Sequence, residues 1–184
     1  MMEKIIFLDR DGVINRGKDD GYITCWEEFN FLPGVFSALR KLTSAGFKII
    51  IISNQQGVGK RLYSMQSLAD LTERMLDRIK RNQAKIWSIH YCPHLAEEDC
   101  ACRKPKSGLF KQAVGGMMVD FKQTYFIGDT QRDIQAGQIL GMKTILVLSG
   151  NTKKKEEVGN FKYRPDFIVD DLEAAVDNIV LKTE

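Results

Sequence analysis

Two carboxylates stand one residue apart in FLDRDGVIN, residues 7 to 15, directly after an apolar run: Asp9 and Asp11, followed by Gly12. Strand alternation would point both to one side, and a turn at the glycine would let the second swing over the first. A third acid, Asp129, follows another apolar run, FIG at 126 to 128. Like charges gathered this closely raise one another's pKa unless a cation sits among them. Mg²⁺ suits the set, since it takes oxygen ligands and is commonly held by one or two carboxylates together with a substrate phosphate. With it, one of the paired aspartates could attack a phosphorus atom while the other handles protons. A transferring phosphoryl group spreads charge over its equatorial oxygens. Ser53 and Lys104 could surround it, with Asn54 and Arg103 nearer the rest of the substrate.

A second constellation lies in YCPHLAEEDCACRKPK, where Cys92, His94, Cys100 and Cys102 form Cys-x-His, five residues, Cys-x-Cys. Three thiolates and an imidazole make a closed tetrahedral set, the composition of a structural Zn²⁺ site. Arg103 and Lys104 follow the last thiol at once, so such a clip would hold the cations that face substrate. A disulfide plus a free thiol is the alternative, and it suits a reducing compartment badly. Cys25 and His90 are expected to be ordinary packed residues.

The elements that must position these groups alternate between short β-rich runs and helical spacing, the pattern of an α/β protein with a largely parallel sheet. Strands are expected at 4–8, 47–52, 86–91, 124–127, 144–148 and 167–169. Helices are expected over 35–42, around Leu68, Leu71, Met75 and Ile79 with Ser64 as cap, over 108–119 with Ser107 as cap, over 134–140, and near 172–181. In open α/β sheets ligands bind beyond the carboxyl ends of the strands, where the polar residues above are found.

The 184 residues carry 43% hydrophobic and 28% charged side chains with a net charge of +3. That balance gives no argument for nucleic acid, and no apolar run approaches the ~20 residues of a membrane span. The expectation is one domain over residues 1–184, cytoplasmic, monomeric, with no nucleic-acid or membrane partner. NQQGVGKR at 54 to 61 lacks the first glycine and the Ser/Thr of a P-loop, so Gly57 and Gly59 are expected to form a flexible substrate loop.

DRDGV at 9 to 13, ISN at 52 to 54, RKPKSG at 103 to 108 and GDTQRD at 128 to 133 together resemble, in order, the four motifs of the haloacid dehalogenase-like (HAD-like) phosphatases. The resemblance implies a Rossmann-like parallel sheet sandwiched by helices. It also implies Asp9 as nucleophile, Asp11 as acid/base, Ser53 and Lys104 as phosphate binders, and Asp9, Asp11 and Asp129 as Mg²⁺ ligands. Asp133 matches the second acid of the fourth motif or orients a neighbour. Only about 40 residues separate the first two motifs, which leaves no room for an independent cap domain. The zinc loop is similar to that of the heptose bisphosphate and histidinol-phosphate phosphatases. DGVIN, GYI at 21 to 23, NFLPGV at 30 to 35 and NQQGVGK favour the heptose group. That likeness implies substrate contacts from Asp19, Asp20, Gly21, Tyr22, Asn54, Gln55, Gln56, Arg103 and Thr130. Thr130 stands where the heptose relatives often carry Lys. The implied substrate is a small phosphorylated sugar, with histidinol phosphate as the alternative and a zinc-stabilised binding module as the non-enzymatic one.

Overall fold

The computed structural model describes residues 3–18 and 21–182. Six strands form one parallel sheet: β1 (Ile5–Leu8), β2 (Lys48–Asn54), β3 (Ile86–Cys92), β4 (Tyr125–Gly128), β5 (Lys143–Val147) and β6 (Phe167–Val169). Their order is β3-β2-β1-β4-β5-β6. The helices are α1 (Val35–Ser44), the single turn α2 (Gln56–Gly59), α3 (Met65–Arg81), α4 (Gly108–Ala113), α5 (Gln131–Ile139) and α6 (Leu172–Ala175).

The apolar runs of β1 and β2 are buried on both faces, which is why they read as continuous rather than alternating. Alternation survives inside the sheet. Ile6, Leu8, Ile49 and Ile51 pack beneath the buried faces of α1, α3 and α6, while Ile5, Phe7, Ile50 and Ile52 face Leu109, Phe110 and Ala113 of α4. The parallel ladder aligns Leu8 with Ile51 on one side and Ile127 on the other, so β1 and β4 end within a residue of each other while β2 runs on to Asn54 beside them. The chain reverses its direction of strand addition between β1 and β4, which makes their carboxyl ends the switch point where a crevice opens.

Most expected elements form, with changes that have local causes. The helix from 108 stops at Ala113 rather than 119, because Gly115 and Gly116 follow and Gly116 turns to φ 78°. The helix expected from 134 starts three residues earlier, as Thr130 and Asp133 cap one another's backbone donors. Ser64 caps α3 by accepting from the Ser67 amide, but Ser107 makes no side-chain cap. The final helix is one α-turn at Leu172–Ala175 running into a π-turn at Val176–Val180. No helix among the described residues is long and apolar enough to cross a membrane. Between β1 and β2 the described chain holds a loop, a 3₁₀ turn at Trp26–Glu28 and α1.

Candidate active site and metal centre

The ends of β1, β2 and β4 deliver Asp9, Ser53 and Asp129 to one crevice, and Lys104 reaches it from the loop after β3. The Asp9 amide donates to the Ile127 carbonyl at 2.9 Å, continuing the ladder one residue past β1 and fixing Asp9 beside β4. Lys104 is 2% exposed. Its Nζ lies 2.9 Å from Asp9 Oδ2 and 2.7 Å from Asp133 Oδ1, and donates to the Ile52 carbonyl at 2.9 Å. All three ammonium protons are thus engaged, and what the lysine offers a ligand is its charge. Burial alone would lower its pKa, but Asp133 and Asp9 outweigh that and hold it above the usual lysine value.

Oxygens of Asp9, Asp129 and Asp133 lie within 4.8 Å of one another. Burial, only partly offset by Lys104, pushes Asp9 up to about 6. Burial and the charges of Asp133 and Asp9 push Asp129 up to about 8. Asp133 moves the other way: Lys104 and the Thr130 hydroxyl overcome its burial and hold it below the ordinary carboxylate range. Its Oδ2 accepts from the Thr130 amide at 3.1 Å and hydroxyl at 2.6 Å. Asp133 is therefore spent on orienting Lys104 and starting α5.

Asp129 is a different case. Its Oδ2 accepts from the amide and the side chain of Asn151, both at 2.6 Å, while its Oδ1 is buried with no partner. An orphaned carboxylate oxygen in a cluster of acids is what a hard cation would complete. Gly12 and Gly150 make room for Asp129: a Cβ on either would fall within 2.2 Å of Asp129 Oδ2, and Gly12 also sits at φ 87°.

Asp11 does not join this cluster. Arg10 is fully buried and binds both Asp11 oxygens at 2.9 Å; Asn15 Nδ2 and Gln55 Nε2 each add a donor at 2.8 Å. These partners overcome burial and hold Asp11 below the usual carboxylate range. Asp133 occupies the third acidic position expected of the Asp11 side chain. Alternation in an ideal strand overstated how closely Asp11 would approach Asp9, because the turn brings Arg10 and Asn15 onto it first.

Asp9, Asp11, Ser53, Asn54, Lys104, Asp129 and Thr130 line one cavity of about 360 Å³. Gly21, Tyr22, Gln55, Gln56 and Arg103, expected to touch substrate, are outside that lining. Asp19 and Asp20 lie outside the described residues. Gln55 is buried, donating to Asp11 and to Ser53 Oγ at 3.0 Å and accepting from Tyr63 at 2.6 Å, so its amide holds these side chains in place. Ser53 Oγ, accepting from Gln55, keeps its own proton to donate. Asn54 grips the Lys104 backbone with both ends of its amide, at 3.0 and 3.2 Å. Arg103 donates to Gln56 Oε1 at 2.5 Å and to the His94 carbonyl at 3.3 Å, which ties the metal loop to the α2 turn. Asn151 was missed by sequence reasoning. Inspecting the residues beyond β5 by the rule applied to β1, β2 and β4 would have found it.

Cys92, His94, Cys100 and Cys102 converge as the spacing predicts. Sulfur separations of 3.3–3.5 Å exclude disulfides, as does the free state of all four cysteines. They approach the edges of a tetrahedron with Zn–S near 2.3 Å, roughly 3.8 Å. His94 Nδ1 lies 3.1 Å from Cys102 Sγ, which makes it the imidazole donor. Burial, and the hydrogen bond it shares with Cys102, push the Cys92 thiol up to about 12, a cost that a bound cation would reverse. His90 lies half-buried beside Ser88, and Cys25 is exposed rather than packed.

Known proteins match this arrangement. A HAD-hydrolase-like family model matches residues 101–175. D-glycero-beta-D-manno-heptose-1,7-bisphosphate 7-phosphatase of Haemophilus influenzae is 38% identical over 178 residues, 92% of this chain and 95% of its own. The corresponding alpha-anomer phosphatase of Campylobacter jejuni is 35% identical over 162 residues, 88% of this chain and 92% of its own. The crystal structure of D,D-heptose 1,7-bisphosphate phosphatase from B. bronchiseptica, complexed with magnesium and phosphate, superposes with a TM-score of 0.89 at 29% identity, covering 97% of this chain and 99% of that one. The chain belongs to the HAD-like hydrolases, and within them to the family of the D-glycero-D-manno-heptose-1,7-bisphosphate 7-phosphatases.

Proposed function

We propose that the protein is a magnesium-dependent phosphatase that removes the 7-phosphate of D-glycero-D-manno-heptose 1,7-bisphosphate through an aspartyl-phosphate on Asp9. The observation that carries the reading is the buried, unpartnered Oδ1 of Asp129, a residue that lines the crevice where Asp9, Ser53 and Lys104 converge. Asp9 and Asp129 would hold Mg²⁺, which supplies charge neutralisation for the phosphoryl oxygens and for the acids themselves. Asp133 serves through Lys104. The thiol cluster would hold Zn²⁺ in a structural role.

Asp9 attacks phosphorus in line with the departing sugar oxygen. The Ser53 hydroxyl donates to an equatorial oxygen, and Lys104 sets its charge beside the nucleophile. Asp11, kept ionised by Arg10, is poised as the base that activates water against the aspartyl-phosphate. As acid it needs a proton, which a phosphomonoester can bring, since the second phosphate pKa is about 6. Gln55 holds Asp11 and Ser53 in fixed relation, so the two halves of the reaction share one scaffold.

The test is phosphate release from both anomers of the heptose bisphosphate with Mg²⁺, with ³¹P spectra identifying the product. Retention of the anomeric phosphate and loss of the signal at C7 are expected. Histidinol phosphate turned over with higher kcat/KM than either anomer would overturn the substrate, and no turnover of any phosphomonoester would overturn the activity.

A further inference from the structure

The crevice does not end at the carboxylates. A second hollow of about 450 Å³, lined by Arg103, Lys104, Pro105, Lys106 and Arg132 among others, adjoins it, and Lys104 and Arg132 line both. Lys104 is the floor between them, committed to Asp9 and Asp133. Of the other cations, Arg103 is held by Gln56 and the His94 carbonyl, and Lys106 is paired with Asp99 at 2.5 Å. Arg132 is exposed and makes no hydrogen bond or ion pair with any described residue. Its electrostatic neighbour is Asp133, whose two oxygens are already occupied by Lys104 and Thr130.

Helix stability does not explain this placement. Arg132 stands in the first turn of α5, where the helix dipole disfavours a cation. A guanidinium kept unpaired at the junction of two connected hollows is suited to an oxyanion, which it can bind by two parallel N–H donors.

We propose that Arg132 is a specificity-determining residue that recognises a second phosphate on the substrate while the first lies against Asp9. The inference rests on the phosphatase reading above and sharpens it: of the two phosphates on the substrate already proposed, the distal one sits in the outer hollow, read by Arg132. A monophosphate fills the inner crevice and leaves Arg132 without a partner, so the residue acts on the choice between the two classes.

The experiment measures kcat/KM for heptose 1,7-bisphosphate and for heptose 7-phosphate with the Mg²⁺-loaded enzyme, wild type against Arg132→Ala and Arg132→Lys. In the wild type, turnover of neither compound would sink the phosphatase reading itself, before any variant is considered. Given turnover, Arg132→Ala is expected to lower the bisphosphate-to-monophosphate preference at least tenfold, chiefly through KM, and Arg132→Lys to restore part of it. Calorimetric titration of the bisphosphate into Asp9→Asn, with and without Arg132→Ala, should show the same loss in binding. A smaller change in preference overturns the proposal, as does an equal loss on both substrates. The position is exposed, so melting temperatures within about 2 °C of wild type are expected and identify any misfolded variant.

Discussion

The molecule gathers potential anions in two places, and it organises them by opposite means. The carboxylates stand at the ends of adjacent strands, where the sheet register fixes their spacing and backbone amides, Lys104 and Asn151 satisfy most of their oxygens. One thiol, Cys92, closes β3, while Cys100 and Cys102 stand on the loop after it with only a 3₁₀ turn at Ala96–Glu98 between, and the nearest side-chain partners of all three are one another and His94. A cation at the first place finds a site that the fold has already built. At the second it has to do the building. The first site should therefore tolerate loss of a ligand in stability while losing chemistry, and the second the reverse.

The largest expected effect tests the first half of that contrast. Asp9→Asn removes the nucleophile but keeps the shape, so kcat should fall by about 10⁴ or more while circular dichroism and melting stay near wild type. Retention of more than a few per cent of the activity would place the nucleophile elsewhere. Next in size is Cys100→Ser. Here metal content and melting temperature should fall together, by about 3 kcal/mol or roughly 5–10 °C, since metal binding in such a loop is folding energy. If zinc is lost and the melting curve does not move, the loop is built by the protein after all and the contrast collapses.

The comparison also separates what could be read in the chain from what could not. The Asp9, Ser53 and Asp129 positions are legible because a buried parallel strand writes its length as an apolar run, and the next polar residue marks the crevice. The metal loop is legible because spacing alone brings its ligands together. Arg10 is not legible. A fully buried arginine depends on Phe29 and Tyr91, which flank its guanidinium at 5.9 and 5.8 Å and come from segments remote in sequence. The fate of Asp11 follows from Arg10, so its pairing was hidden for the same reason. Gln55 looks like a substrate contact in sequence because it follows Ser53 so closely, but the turn after β2 folds its amide back onto protein groups. Asn54, the last residue of β2, lines the cavity while its amide grips the Lys104 backbone.

Protonation gives a sharper test of the carboxylate end. In the metal-free protein Asp129 is pushed up to about 8, against an ordinary value near 3.8. A raised folded-state pKa means the fold binds the extra proton. That stabilisation is full below about 3.8 and is lost as pH rises through about 8. Mg²⁺ must displace the proton, so its apparent affinity should rise about tenfold or more between pH 6 and 8, and the rise in melting temperature that it produces should grow in the same window. Calorimetric titrations at pH 6, 7 and 8 measure it. An affinity constant across that range would mean that Asp129 is already ionised without metal, and the crowding argument would fail.

The smallest effect comes from two neighbours that divide the regions between them. Gln55 ties Ser53 to Asp11, whereas Gln56 accepts from Arg103 beside the metal loop. Gln55→Ala leaves the Tyr63 hydroxyl and the Asp11 carboxylate each short of a partner, so kcat should fall about tenfold with KM little changed. Gln56→Ala frees Arg103 without touching the acids, so KM should rise a few-fold with kcat preserved. The discriminating quantity is the split between kcat and KM for two adjacent amides. Were both variants to lose kcat alike, Arg103 and the metal loop would belong to the chemistry at Asp9, and the line drawn between the two clusters would have to be erased.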